Sequence, residues 1–393
     1  MDIRSFRPII YSDHIGDAVA PPFDTISRHQ KESLLRTSYN ITHITTLSRG
    51  NFRDASKILK KWMEDGILKK IDKDCIIIHE QEFYSMREKL TRIGVISLVS
   101  IEDGWEHIRP HENTFRWAVD ERKELMRECG CQLEPIFLAV ASNSYENILR
   151  KMIQDNTPDM EFEEPLGVVN RSFFIYDADK IKKIESVVRN DDAVVADGHH
   201  RFQAIKELMQ EEGNGGASRW SSVFAYTTSI YDRGLMISGI HRMISARYSF
   251  STVLEKISRY FNITIKTGYG DESHMALYKD RFYILVPKDA VNRDLGITAD
   301  DVDESNPRII NDLIFREMLG MSDKTIEDEV SFTQDESLAI NAVDNHEAEF
   351  AILMPSWSKD TFINLARKGH ILPQKSTYFY PKIPSGIALY CIK

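Results

Sequence analysis

The chain has 393 residues, 42% of them hydrophobic and 28% charged, with 50 basic against 60 acidic side chains and a net charge of −10. This is the composition of soluble globular proteins, long enough for two or three domains, and it excludes the disordered and fibrous classes. With no concentrated block of positive charge, sequence-independent binding to nucleic acid is not expected.

The opening MDIRSFRPIIYSD contains no uninterrupted apolar run, and the apolar stretch IGVISLVSI is too short to span a bilayer, so a cytoplasmic protein is expected. The four cysteines, Cys75, Cys129, Cys131 and Cys391, are too few and too scattered for a disulfide framework, and C-x-C is not a zinc-ribbon spacing. They read mostly as structural thiols.

In chain order, a loop at AVAPPFDTIS precedes a helix expected from Asp54 to Asp65, stopped by Gly66. Strands follow at CIIIHEQEFY and RIGVISLVSI, then RPHENT, a loop that turns into a charged helix. PIFLAV and RSFFIYD are strands that bracket a helix around YENILRKMIQD. In DDAVVADGHHRFQAIKELMQEE a short apolar strand stops at Asp197-Gly198, and Phe202, Ile205, Leu208 and Met209 recur at the spacing of one helical face. A glycine-rich break, EEGNGGASR, leads to strands at WSSVFAYTTSI and LMISGIHRMI. The last third continues with the strand DRFYILVP, a helix at NDLIFREML, the strand FAILMP, a helix at KDTFINLARKG, and the tail ILPQKSTYFYPKIPSG. No repeat is visible, and the order of elements fits an α+β or mixed α/β fold with a partly antiparallel sheet.

Four stretches carry candidate chemistry. In DGHHR, three basic residues stand where a helix begins, an end whose partial positive charge disfavours cations. The placement makes sense if an anion binds there, met by backbone N–H groups, Arg201, His199 and His200, with Gly198 allowing close approach and Asp197 orienting a histidine or metal. On that reading Arg201 works against stability when no ligand is bound, and its removal spares the fold. The bland alternative is a polar surface turn.

RPHENT offers Arg109, His111, Glu112, Thr114 and the following Arg116 for holding a polar substrate and moving its proton, against an alternative in which Asn113 or Thr114 caps the helix. PQKSTYFYPK fails as a phosphate-binding loop, because Gln374 replaces the second glycine and Pro381 and Pro384 forbid a following helix. Lys375, Ser376, Thr377 and Lys382 remain as phosphate contacts, or as a strand with solvated lysines. In VAPPFDT two prolines stiffen the loop that presents Asp24, a carboxylate that could equally be a cap. There is no G-x-G-x-x-G, H-E-x-x-H or G-x-S-x-G, and the spacing of the histidines supports no metal site, so a metal cannot be assigned to residues.

Taken together, APPFD, RPHENT, ADGHHRFQA, GIHR and LPQKSTYFYPKIPSG resemble the family named domain of unknown function 1015, over nearly the whole chain. Phe23 and Phe202 stand where that family usually has tyrosine, and GIHR is looser than its usual pattern, which weakens a role for His241 and Arg242. DGHHR is further similar to the signature of the ParB and sulfiredoxin superfamily, some members of which are kinases of free L-serine. The resemblance implies a ParB/sulfiredoxin-like nucleotide- and substrate-binding core over residues 1–250 and a C-terminal α/β region over 251–393. It implies ATP or ADP as phosphoryl donor, Mg²⁺ as cofactor, L-serine as the favoured acceptor and room for a homodimer. Asp24, Glu112, Asp197 and His200 become candidates for the chemical step, Gly198, His199, His200, Arg201, Lys375, Ser376, Thr377 and Lys382 for the phosphates, and Arg109, His111 and Thr114 for the substrate. The rival reading is a ParB-like nucleotide switch associated with DNA, which the missing basic region disfavours.

Overall fold

The computed structural model describes residues 1–13, 15–47, 51–85, 87–213, 218–245, 247–269, 274–288, 306–369 and 371–392. The centre of the expected glycine-rich break, residues 214–217, lies outside them. The chain divides into two compact units. The first comprises Met1–Pro110, Thr114–Met236 and Pro381–Lys393, and the second His111–Asn113 and Ile237–Tyr380. Residue 250 falls inside the second unit, and the tail is shared, with KSTYFY in the second unit and PKIPSG in the first.

The first unit is built on a mixed sheet of nine strands among the described residues: β1 (Ile3–Arg4), β2 (Ile76–Ser85), β3 (Glu88–Ser100), β4 (Ile108–Arg109), β5 (Ile136–Val140), β6 (Met160–Glu163), β7 (Val169–Ile175), β8 (Ala193–Asp197) and β9 (Ser222–Ser229). Their order is β4-β8-β5-β9-β3-β2-β7-β6, with β1 added to β3. Only β4/β8 and β5/β9 run parallel; the other pairs are antiparallel. This is the expected mixed α/β class with a partly antiparallel sheet.

Five helices of this unit matter below: α1 (Phe52–Glu64), α2 (Arg116–Cys129), α3 (Tyr145–Ile153), α4 (Ala178–Val188) and α5 (His199–Glu212). In α5 the residues at helical spacing, Phe202, Ile205 and Leu208, are buried, as the pattern predicts. The sheet has two unlike faces. Ile93, Val95 and Val99 of β3 join Leu138, Val195 and Val223 in an apolar core that also takes Leu149 of α3 and Ile184 of α4. The alternate residues, Arg92, Gly94 and Ile96, face the other way, beside Gln81, Asn170, Tyr226 and Phe137. That second face is buried yet polar: His79, Gln81, Arg92, Asn170 and Ser172 are all fully enclosed.

In the second unit an antiparallel sheet of six strands among the described residues contains β10 (His241–Ile244), β11 (Phe261–Lys266), β12 (Met275–Tyr278), β13 (Phe282–Pro287), β14 (Val330–Thr333) and β15 (Phe350–Leu353), in the order β11-β13-β12-β15-β10-β14. One face packs against α6 (Phe250–Ile257) and α7 (Ile309–Met318), the other against α8 (Glu336–Asp344). Helix α7 is wound with the wider i→i+5 hydrogen bonding. The expected single strand LMISGIHRMI is interrupted at Ile240. A Cβ on the adjoining Gly239 would lie 2.5 Å from Met354 Cβ and from the Pro355 carbonyl, so a glycine lets the backbones approach.

The thiol assignment needs correction. Cys131 and Cys391 form a disulfide, because the short strands Cys131–Gln132 and Tyr390–Cys391 pair antiparallel with the two cysteines opposite each other. Their separation of 260 residues hides this from the sequence. Cys75 and Cys129 remain thiols, and burial pushes both up to about 12. Among the described residues no helix is long and apolar enough to cross a membrane.

Candidate functional site

The DGHHR turn is made by a fault in the sheet. Val195 of β8 pairs with Leu138, but the next partner of β5, Phe137, pairs with Asp197, so one extra residue is inserted at Ala196. Such a bulge re-aims the following side chain. Without it Asp197 would share the face of Val195 and enter the apolar core. With it, Asp197 joins Phe137 on the polar face. Gly198 follows with φ +89°, a conformation natural to glycine, and a Cβ there would sit 3.0 Å from the Arg201 guanidinium. Helix α5 then begins with no side chain capping its first turn, leaving the positive end of the helix dipole open to an anion.

Three charges meet at this turn. Arg201 Nη2 donates to Asp197 at 2.8 Å and Nη1 to the Pro135 carbonyl at 2.7 Å, while Lys382 Nζ donates to the other Asp197 oxygen at 2.5 Å. Burial works against an ionised Asp197, yet the Lys382 ammonium and the Arg201 guanidinium outweigh it and hold the carboxyl down to about 2. This corrects the expected reason for Arg201. Its side chain is only 4% exposed and is already neutralised by Asp197, one helical turn back, so it does not await a ligand to be stable.

The sequence reading missed Glu134. This carboxylate is 5% exposed, accepts from the Ser385 hydroxyl and the Phe23 N–H, and acts on Arg201 ahead of Asp197 and Asp24. A lone Glu before a proline carries no motif; only the fold brings it here. Asp24 belongs to the same neighbourhood, with its Oδ1 buried and without a hydrogen-bond partner, as is Arg201 Nε. The stiff loop holding Asp24 is fixed by the Ala20–Ser385 bridge, by the turn from Thr25 N–H to the Pro22 carbonyl, and by Phe23, whose ring lies 3.9 Å from the Arg122 guanidinium.

The two histidines differ. His199 is buried beside the charge cluster, and burial chiefly, with His200, Lys382 and Arg201 adding to it against Asp197, brings it down to about 3. His200 accepts the Phe115 N–H at Nε2, 3.1 Å away, with its ring parallel to Phe115. His79, on the polar face, is likewise lowered to about 3 by burial and then by Arg92, and is bonded to Ser172 and Asn170. In the unfolded chain these imidazoles take up protons near pH 6.5, but in the folded state only near pH 3. Between those values the unfolded state holds more protons, so stability falls as pH falls through that window. The expected slope is up to about 1.4 kcal/mol per pH unit for each such histidine. Urea unfolding at pH 7, 6, 5 and 4 measures it, and His79→Gln should flatten the slope.

RPHENT is divided between the units. Arg109, in the first, pairs with Asp192 at 2.7 Å on a half-exposed surface. Thr114 precedes α2, whose N-cap position is Phe115 with no side-chain cap, so neither Asn113 nor Thr114 caps this helix. In the second unit His111 is fully buried and edge-on to Phe362 and Phe379, with Nε2 2.8 Å from the Thr377 hydroxyl. Glu112 Oε1 accepts from the N–H groups of Ser376 and Thr377 and from the Thr377 hydroxyl, at 3.0 to 3.2 Å. Ser376 Oγ donates to the Pro373 carbonyl. Glu112 thus clamps the KST turn, where Lys375 is held at φ +59° with an exposed side chain. Arg242 Nη2 donates to the Lys375 carbonyl at 3.0 Å, Arg242 is lowered to about 10 by burial against the pull of Glu112, and its Nε is buried without a partner. His241 accepts the Met354 N–H. The phosphate candidates therefore fall into two groups: Asp197–Arg201 with Lys382, and Lys375–Thr377 with Glu112 and His111.

The family described as "protein of unknown function (DUF1015)" matches residues 3–308. No curated protein matches the chain. Among solved structures, a conserved hypothetical protein from Pyrococcus furiosus is similar at 12% identity and a TM-score of 0.40, over 75% of this chain and 94% of that one. A free serine kinase in complex with AMP is similar at 10% identity and a TM-score of 0.42, over 75% and 90% of the two chains. SbnI from Staphylococcus aureus, with a C-terminal truncation, stands at 13% identity and 0.41, over 73% and 84%.

Proposed function

The chain belongs to the DUF1015 family, and we propose that it is a small-molecule kinase with a ParB/sulfiredoxin-like core, transferring a phosphoryl group from ATP or ADP to an alcohol, with free L-serine the favoured acceptor. The observation that carries this reading is the junction of β8 and α5. A bulge, a left-handed glycine and an uncapped helix N-terminus gather Asp197, Lys382 and Arg201 where anionic oxygens would be received. Phosphoryl transfer asks a protein mainly for positioning and charge neutralisation, plus a carboxylate for the acceptor proton.

Lys382, held between Asp197 and the helix start, supplies a point charge to the phosphates. Asp24 supplies the carboxylate, since it keeps a buried oxygen that no protein group bonds. Glu112, with Oε1 already taken by three donors, holds its own loop rather than a substrate proton. Among the described residues no three acidic, histidine or cysteine side chains converge as a metal site. Mg²⁺ arriving with a nucleotide keeps its waters and asks for one or two protein carboxylates besides the phosphates. Bound with the nucleotide, the ion would draw charge off the phosphoryl oxygens.

Calorimetric titration with ADP and ATP tests the phosphate site. Binding is expected, and Lys382→Met should weaken it about tenfold to a hundredfold, the worth of one charge-assisted hydrogen bond. Absence of nucleotide binding, or an affinity indifferent to Lys382, contradicts the assignment.

A further inference from the structure

We propose that Arg92 is the receptor for a carboxylate on the acceptor, which makes the substrate class a small hydroxylated acid or amino acid. The inference rests on the kinase reading for its chemistry, but on separate residues for its geometry. Arg92 is fully enclosed. One nitrogen, Nη2, donates to Gln81, while Nε and Nη1 have no partner at full hydrogen-bond geometry; the Tyr226 hydroxyl, which interacts with the guanidinium and with Thr228, brings no carboxylate to it. The guanidinium lies 4.6 Å from the Phe137 ring centre and 5.2 Å from that of Tyr226. Aromatic faces soften a buried cation without using its N–H groups.

Two carboxylates act on Arg92 from a distance, and both are engaged elsewhere. Asp232 accepts the N–H groups of Ile93 and Gly234. Glu164 accepts from Asn170, and burial brings it up to about 7, so it is only partly charged at neutral pH. A guanidinium enclosed without a contacting anion is costly to keep, and its planar fork matches a carboxylate with two parallel bonds.

Its position supplies the rest. Asp197, Phe137 and Tyr226 are cross-strand neighbours, and Tyr226 pairs with Ile96, which shares a face with Gly94 and Arg92. The guanidinium over Phe137 is therefore about one strand spacing, roughly 5 Å, from the row that carries Asp197. Gln81 ties the two ends together. Its Oε1 takes Arg92 and its Nε2 donates to the Lys382 carbonyl, while Lys382 Nζ holds Asp197. A carboxylate on Nη1, at the end of the fork beside Nη2, would leave the hydroxyl of a short molecule within reach of the phosphate cluster.

The test compares L-serine with 2-amino-1,3-propanediol, which replaces the carboxylate by a second alcohol, in wild type, Arg92→Lys and Arg92→Met. Wild type should favour L-serine at least tenfold in kcat/KM, the preference residing in KM, and both variants should lose it. If the variants do not fold, or no acceptor is turned over, binding of the two compounds to wild type, read by calorimetry and melting shift, decides. Selective binding of L-serine supports the receptor. Equal response to both compounds, or a preference that survives in Arg92→Met, overturns it. Phosphorylation confined to acceptors without a carboxylate overturns it while leaving the kinase reading intact. Carboxylate binding without phosphorylation does the reverse.

Discussion

Asp24→Asn is expected to lower turnover by about 10² to 10⁴, the usual worth of general-base assistance, while ADP and ATP still bind. Asp24 sits on a loop stiffened by Pro21 and Pro22, pinned through Ala20 to Ser385, and its Oδ1 is buried with no protein group to satisfy it. An amide of the same shape keeps the packing and removes the proton acceptor. Glu112→Gln is the informative companion. Glu112 Oε1 accepts three hydrogen bonds from Ser376 and Thr377, and an amide oxygen can accept the same three, so a much smaller loss is expected. Steady-state kinetics on both variants separates them. Near-normal turnover in Asp24→Asn would remove the carboxylate from the chemical step.

Arg201→Met should destabilise the protein by about 3–5 kcal/mol, as expected when one partner of a buried ion pair is deleted. The change removes the bonds to Asp197 and to the Pro135 carbonyl. Asp197 would then depend on Lys382 alone for charge compensation, and the helix start would lose the side chain that packs against Gly198. Urea unfolding measures the effect directly. A variant as stable as wild type would mean that the pair with Asp197 contributes nothing and that Arg201 does stand ready for an external anion.

These two outcomes mark where the sequence was legible. DGHHR announced a strand, a turn and a helix because apolar periodicity changes from a short run to helical spacing there, and the structure has β8, Gly198 and α5 in that order. Local rules also placed most of the helices and strands around it. They missed what depends on pairing across the sheet. The bulge that turns Asp197 onto the polar face leaves no local signature, and Arg201 looked unpaired at the helix start because that bulge is what brings Asp197 to it. Glu134 and Arg92 lie in LEP and TRI, which read as ordinary strand flanks; their meaning appears only when Ser385, Gln81 and Tyr226 surround them. The Cys131–Cys391 bond is hidden for the same reason, its partners being opposed by two short strands from distant parts of the chain. The KST tail reads as phosphate-binding by residue type, yet its hydroxyls are spent on Pro373, Glu112 and His111.

The most direct measurement is phosphorus NMR of the protein incubated with Mg²⁺, either ATP or ADP, and L-serine beside a panel of other small alcohols. A new phosphomonoester resonance should grow with time, with loss of the donor's terminal phosphate, and should be absent without acceptor. A spectrum showing no phosphoester with any acceptor, or nucleotide hydrolysis that begins only when DNA is added, would contradict the kinase reading.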